Sequence, residues 1–202
     1  MLGTSTRGFA LVCAGWMMLG CAEPDNGPIA PTGQRPADAA TPSAQADNHS
    51  QRTSYEVRLD PKPGTNARGT VRIGIVGGNL TVSVHATGLA PQRDTPQHIH
   101  AAQTCQEGGP VLINLDANLT VFGEAPSVGP DFPTSNPAGI VNYHASRPLS
   151  DLLQAVNTHF GMALTSVDEL LGWLDLASRN VHMHAPDAPF TPVNCGEVNL
   201  SH

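Results

Sequence analysis

The sequence predicts a mainly β protein, an antiparallel sandwich or barrel that carries one short helical insertion. Its 20 glycines and 18 prolines, with only 13% charged residues, are typical of a turn-rich β protein rather than a helical bundle. Several segments alternate apolar and polar residues, as half-buried strands do. A chain of 202 residues has room for one ordinary domain and its flanking segments.

The first predicted strands begin near Tyr55. YEVRL (55–59) alternates, and GTVRIGIV (69–76) and NLTVSVHATGL (79–89) are joined by Gly77-Gly78, which is a strong hairpin signal. Four further segments are candidate strands: PVLINL (110–115), NLTVFG (118–123), RNVHMHA (179–185) and EVNL (197–200).

The helical insertion is predicted over residues 149–177. LSDLLQAVNTHF (149–160) places its apolar residues on one stripe at helical spacing. Ser166, with Glu169 three residues later, resembles a capping box that opens a second helix. The insertion has three open roles: to cover a site, to form an interface, or to plug one end of the sandwich.

The N-terminal residues have the pattern of a targeting segment. Residues 1–20 contain one arginine and then an apolar run too short to span a bilayer comfortably. The run ends in Met18-Leu19-Gly20-Cys21, which resembles the lipobox of bacterial lipoproteins and implies lipidation at Cys21, an anchor in the cell envelope. Ala22 resembles the outer-membrane sorting signal. The alternatives are an ordinary secretory signal and an uncleaved anchor.

A tether separates this anchor from the domain. Residues 21–53 are rich in Pro and Ala, with Ile29 as their only large aliphatic residue, so they are predicted to be disordered. The β domain then occupies residues 54–202.

Charge and motifs exclude several function classes. The net charge is −7 and Lys62 is the only lysine, which argues against electrostatic binding of nucleic acid. The sequence has no nucleophile-elbow, Walker or dinucleotide-binding motif, and no CxxC motif.

Two cysteines remain for the exported domain, because Cys13 leaves with the signal and Cys21 carries the lipid. An even pair, Cys105 and Cys195, in an oxidising compartment predicts one disulfide. Closing a loop of about 90 residues is worth at most roughly 4–5 kcal/mol in the chain-entropy model.

Histidines give the strongest functional signal, with nine in the chain. His98-Ile99-His100 and His182-Met183-His184 each place two imidazoles on one face of a predicted strand. If these strands are neighbours, three or four imidazoles converge on one ion, and imidazole suits copper, zinc or nickel. The alternative is that one pair binds an ion and the other is solvated. Met183 is predicted to point into the core.

The other histidines carry less weight. His85 lies near the end of a strand, where it is either solvated or hydrogen-bonded to a metal ligand. His144 and His159 have no paired spacing and are predicted to be structural, and His49 and His202 lie in tails.

Residues 69–115, with a Gly-Leu turn, His-Ile-His and Gly-Pro-Val, resemble the first half of a CHRD (chordin-type) domain, and 181–200 resemble its closing segment. The same stretches are similar to Cu,Zn superoxide dismutase. That resemblance implies a Greek-key β-sandwich, copper ligands at His98, His100 and His184, and the family disulfide at the cysteine pair.

The departures from the dismutase pattern concern catalysis. Val111 follows Gly109-Pro110 where the family has its metal-bridging histidine, and Pro192 replaces an arginine that attracts superoxide. The loop after Val111 lacks the cluster of two histidines and an aspartate that holds zinc. Zinc is therefore less favoured than copper, and dismutation less favoured than binding.

Taken together, these features predict an exported lipoprotein whose CHRD-like domain binds a transition metal, copper. The ligands are His98, His100 and His184, with His182 nearby. The alternatives are a diverged copper superoxide dismutase and a metal-free surface domain used for adhesion or structure.

Overall fold

A computed structural model describes residues 53–128, 131–187 and 189–201. The predicted signal peptide, the lipidation at Cys21 and nearly all of the tether lie outside the described residues. Within these ranges, no helix is long and apolar enough to cross a membrane.

The fold is mainly β, with two short helices, as predicted. Alternating burial along the long strands accounts for this, because one face meets the core and the other meets solvent. The strands are β1 (Thr53–Pro61), β2 (Arg68–Val76), β3 (Asn79–Thr87), β4 (Gln97–His100), β5 (Val111–Asn114), β6 (Val141–Pro148), β7 (Asn180–His184), β8 (Pro192–Glu197) and β9 (Asn199–Leu200).

Eight strands form one antiparallel path in the order β5-β4-β7-β8-β1-β2-β3-β6, and β9 pairs with β1. β1 joins the two halves, because its first part pairs with β2 and its last two residues pair with β8. Both halves contribute to one core, including Val57 and Val82 from one and Ile99 and Val181 from the other.

The ends of the strand path meet through side chains. The Tyr143 hydroxyl on β6 donates to the Leu115 carbonyl at 2.6 Å, and the Arg147 guanidinium donates to the Leu119 carbonyl at 3.1 Å. The sheet is therefore curled back on itself around its core.

The helical insertion follows β6 directly. α1 (Leu149–Phe160) has the predicted bounds, and α2 (Val167–Leu174) begins after Ser166 as predicted. α2 ends at Leu174, and a 3-10 turn (Leu176–Ser178) ends the insertion. Its apolar stripe belongs to the common core, with Leu152 and Leu170 fully buried, so the insertion packs on the sheet rather than standing apart from it.

Three strand assignments differ from the prediction. β8 was not predicted, because the closing strand was placed at residues 197–200, where the two-residue β9 forms. Residues 118–123 form no strand and make only isolated bridges, because Leu119 has a left-handed backbone and the Asp116 carboxylate accepts hydrogen bonds from the backbone of Asn118 and Thr120. β6 was not predicted. It pairs with β3 over its whole length, although Val141 and Ala145 are its only buried side chains before the helix.

Candidate metal centre

Strand pairing brings the two His-x-His segments together. β4 and β7 are antiparallel neighbours, with His98 directly opposite His182. His182 is in turn opposite Cys195 on β8, and directly opposed residues have side chains on the same face. His98, His182 and Cys195 thus form a row across three strands, and His100 and His184 lie on opposite sides of this row, each two residues further along its strand. Centroids of five of the six ring pairs are 4.6–5.9 Å apart.

The histidines lie on the outer face of the sheet and are nevertheless buried. Ile99, Val181 and Met183 on the opposite face are fully buried in the core, so Met183 points inward as predicted. The Phe132 ring packs edge-on against the His98 ring, with centroids 5.3 Å apart. Loops following β4 and β7 contribute contacts to the other rings, which leaves His98, His100 and His182 between 3% and 6% exposed.

Backbone carbonyls set the tautomers of two rings. His100 Nδ1 lies 2.8 Å from the Gly109 carbonyl, and His184 Nδ1 lies 2.6 Å from the Phe190 carbonyl. A carbonyl can only accept, so each Nδ1 carries the hydrogen and each Nε2 keeps a lone pair. Gly109 is required here, because it has a φ of +74° and a Cβ would lie 2.8 Å from the Ala102 nitrogen.

A chain of side-chain hydrogen bonds orients His98. Its Nδ1 donates to the Asn114 Oδ1 at 3.1 Å, and the Asn114 amide donates to the Thr120 hydroxyl at 3.0 Å. The Thr120 hydroxyl donates to the Asp116 carboxylate. Asn114, Asp116 and Thr120 are all buried. Acceptors of this kind behind a histidine are typical of metal ligands.

Three imidazole nitrogens are left without partners. Nε2 of His100, His182 and His184 is buried and has no hydrogen-bond partner within the described part of the chain. One ring nitrogen of each of these residues lies within 4.8 Å of the others. A tetrahedral ion with bonds of about 2.0–2.1 Å holds nitrogens about 3.3 Å apart. Binding one ion would draw these nitrogens together from separations of up to 4.8 Å.

Burial keeps these rings neutral. It lowers the pKa of His98 and His182 to about 3, with repulsion from the neighbouring histidines as a further cause. Burial also lowers the pKa of His100 and His184, although their carbonyl partners oppose the shift. Metal ions bind neutral imidazole, so the cluster is in its binding-competent state at neutral pH.

The structure brings all four predicted residues into one cluster. Its tightest group is His100, His182 and His184, whereas the prediction placed His98 in the leading set and His182 nearby. The assignment of ligands stays a prediction. The hydrogen-bonded chain from His98 through Asn114 and Thr120 to Asp116, here called the His98 relay, was not predicted. The Asp-x-Asn-x-Thr spacing of residues 116–120 is a turn signal that points to it.

The remaining histidines lie elsewhere. His85 and His159 are exposed, and His144 is exposed with its Nδ1 3.0 Å from the Ser83 hydroxyl. His49 and His202 lie outside the described residues.

The Cys105–Cys195 disulfide is present, with an S–S distance of 2.01 Å. Pro192 pairs with His184 in the β7–β8 register. The cation beside the cluster is Lys62, whose ammonium donates to the Cys105 carbonyl at 3.1 Å and contributes to the lowered pKa of His182.

The described residues thus define a mainly β, disulfide-linked domain with a buried cluster of four histidines. No family model and no curated protein matches the chain. Similar solved structures include superoxide dismutase 5 of Candida albicans with Cu(II), at 14% identity over 75% of this chain and 94% of that chain, with a TM-score of 0.48. Two point mutants of that enzyme align at 14% and 16% identity, over 75% and 74% of this chain and 93% of theirs, with TM-scores of 0.46 and 0.43. No membership of the CHRD or dismutase family follows from these values.

Proposed function

We propose that the domain binds one transition-metal ion, copper, through its histidine cluster, and that it is a CHRD-like domain of an exported lipoprotein. The observation that supports this is the group of three buried Nε2 atoms without partners on His100, His182 and His184. These three would hold the ion. His98 would be a fourth ligand through its Nε2, since its Nδ1 already donates to Asn114.

A metal-free role explains the cluster less well. Each buried nitrogen without a partner costs about 1–3 kcal/mol, and the three such imidazole nitrogens belong to rings that each place one nitrogen within 4.8 Å of the others. A bound cation would satisfy all three at once. The carbonyls that fix His100 and His184 would already hold the correct tautomer for it.

Copper is the metal that the donor set favours. An all-imidazole site accepts copper, zinc or nickel, and copper binds tightest among divalent first-row ions at a given nitrogen site. When bound, copper supplies one-electron redox chemistry.

A diverged copper superoxide dismutase is the alternative. It is less favoured because the chain carries a net charge of −7, which opposes the approach of an anion. Superoxide removal that disappears on copper chelation would favour this enzyme.

Elemental analysis tests the binding proposal. The protein would be purified from an oxidising compartment without a histidine tag, loaded with copper and washed. About one copper per chain is expected, with little in a His100→Ala, His182→Ala, His184→Ala variant. A His85→Ala, His144→Ala variant is the matched control, since both side chains are exposed, and it should keep its copper. Equal copper in both variants, or none in the parent, contradicts the proposal.

The lipid anchor has a separate test. We expect the chain to be held at the bacterial outer membrane through acyl chains on Cys21, with the Pro/Ala-rich segment as spacer. A Cys21→Ser variant should move from the membrane fraction to the soluble fraction. Retention in the membrane would rule out this anchor.

A further inference from the structure

The row of side chains that contains His98 and His182 continues into the disulfide. Cys195 is directly opposite His182 on β8, and Cys105 is bonded to Cys195. The two sulfurs and one ring nitrogen of His182 all lie within 4.8 Å of one another. His182 is therefore a member of two groups of potential ligands, one made of imidazoles and one that contains both cysteines.

The disulfide borders a cleft at the protein surface. Both cysteines line an open surface cleft of about 450 Å³, together with Asp60, Lys62 and Glu197. His182 is only 3% exposed and its Nε2 has no partner in the described residues. A small dithiol or a metal ion entering this cleft lies beside both cysteine residues.

We propose that reduction of the disulfide creates a second metal site, formed by the thiolates of Cys105 and Cys195 with the imidazole of His182. Two thiolates and one imidazole suit a soft or borderline cation such as Cu(I) or Zn²⁺. The site shares one residue with the histidine cluster and does not require that the cluster hold an ion.

The chemistry balances with a dithiol as reductant. Two electrons and two protons pass from the dithiol to the disulfide, which yields two protein thiols and the oxidised, disulfide form of the reductant. Binding of the cation then releases the two thiol protons to solvent.

Cobalt(II) is the probe, because a thiolate–cobalt bond gives a near-ultraviolet charge-transfer band that imidazole ligands do not give. Residues 22–202, in which Cys105 and Cys195 are the two cysteines, would be reduced with a dithiol, freed of it without air, and titrated with Co²⁺. The band should saturate at about one equivalent in the reduced chain. It should not appear in the oxidised chain or in a Cys105→Ser, Cys195→Ser variant.

Two histidine variants test the contribution of His182. His182→Ala should weaken cobalt binding by more than the roughly 10–100-fold that loss of an outer partner costs. His144→Ala is the matched control, because His144 is exposed and belongs to neither group of potential ligands, and it should keep the band and its affinity. Equal affinity in both variants, or no band in the reduced chain, overturns the proposal.

Loss of the disulfide also weakens the fold, so circular dichroism is recorded in the same titration. If the reduced chain unfolds, cobalt must restore the β spectrum and the band together, because metal that binds only the folded site stabilises it. A band that forms without the β spectrum overturns the proposal. Copper loading of the oxidised chain is unaffected by either result and tests the histidine cluster separately.

Discussion

Replacing Asn114 with alanine tests whether the relay behind His98 supports the metal centre. The change removes the bond to His98 Nδ1 (3.1 Å) and the bond to the Thr120 hydroxyl (3.0 Å). At about 0.5–1.5 kcal/mol for each bond, the metal-free chain should lose about 1–3 kcal/mol of stability. For a domain of this size, that loss lowers Tm by roughly 2–12 °C.

The effect on copper is the specific part of this prediction. Loss of an outer partner of a metal-bound histidine lowers affinity by about 10–100-fold. Copper at about 100 times the parent Kd stabilises the parent by about 2.7 kcal/mol, so the Asn114→Ala variant should gain only about 0.4–1.4 kcal/mol. Thermal unfolding with and without copper measures both quantities.

Asn157 supplies the matched control. Its side chain makes two bonds to the backbone of Leu164 within the helical insertion, both of 2.9 Å, so Asn157→Ala removes the same number of bonds away from the cluster. It should lower the stability of the metal-free chain by a similar amount and leave the gain from copper unchanged. If Asn114→Ala keeps the full gain from copper, His98 and its relay are not part of the site and this reasoning is refuted.

Two other predictions concern the fold. The pKa of His98 and His182 is about 3 when folded against 6.5 when free, so the unfolded chain takes up protons first. The metal-free chain should therefore lose stability steadily as pH falls from about 6.5 towards 3. Constant stability in urea unfolding between pH 7 and 5 would contradict this. Gly196→Ala places a Cβ 2.1 Å from the Arg58 carbonyl and should lower the free energy of unfolding by about 2–3 kcal/mol. Gly172→Ala meets no atom within 4 Å and should raise it by about 0.5–1 kcal/mol. Equal stabilities of the two variants would contradict the packing described.

The pairing of histidines was predictable, but the composition of the tightest group was not. Period-2 alternation places His98 with His100 and His182 with His184, and this arrangement is observed. The register shifts occur in the β4–β5 and β7–β8 pairings, where the extra residues, Leu112 and Val193, lie on β5 and β8, so alternation along β4 and β7 is kept. Which rings come closest depends on the pairing of β4 with β7, strands about 80 residues apart, and a single sequence does not contain that pairing.

Local chemistry explains two of the strand errors. Residues 118–123 have the alternating pattern of a strand, but the Asp116 carboxylate bonds the backbone of Thr120 and turns the chain. In β6 the pattern is weak because Asn142 and His144 face solvent and few apolar residues mark the inner face. The helices were predicted well because their apolar stripes match the core face, as buried Leu149, Leu152 and Val156 show.

A crystal of the oxidised, copper-loaded chain measured at the copper absorption edge would locate the bound ion. One anomalous peak is expected, about 2.0–2.1 Å from Nε2 of His100, His182 and His184. The absence of a peak at these atoms would contradict the proposed copper site. A peak bound by His98, His100 and His184 without His182 would show that the tightest group in the structure is not the ligand set.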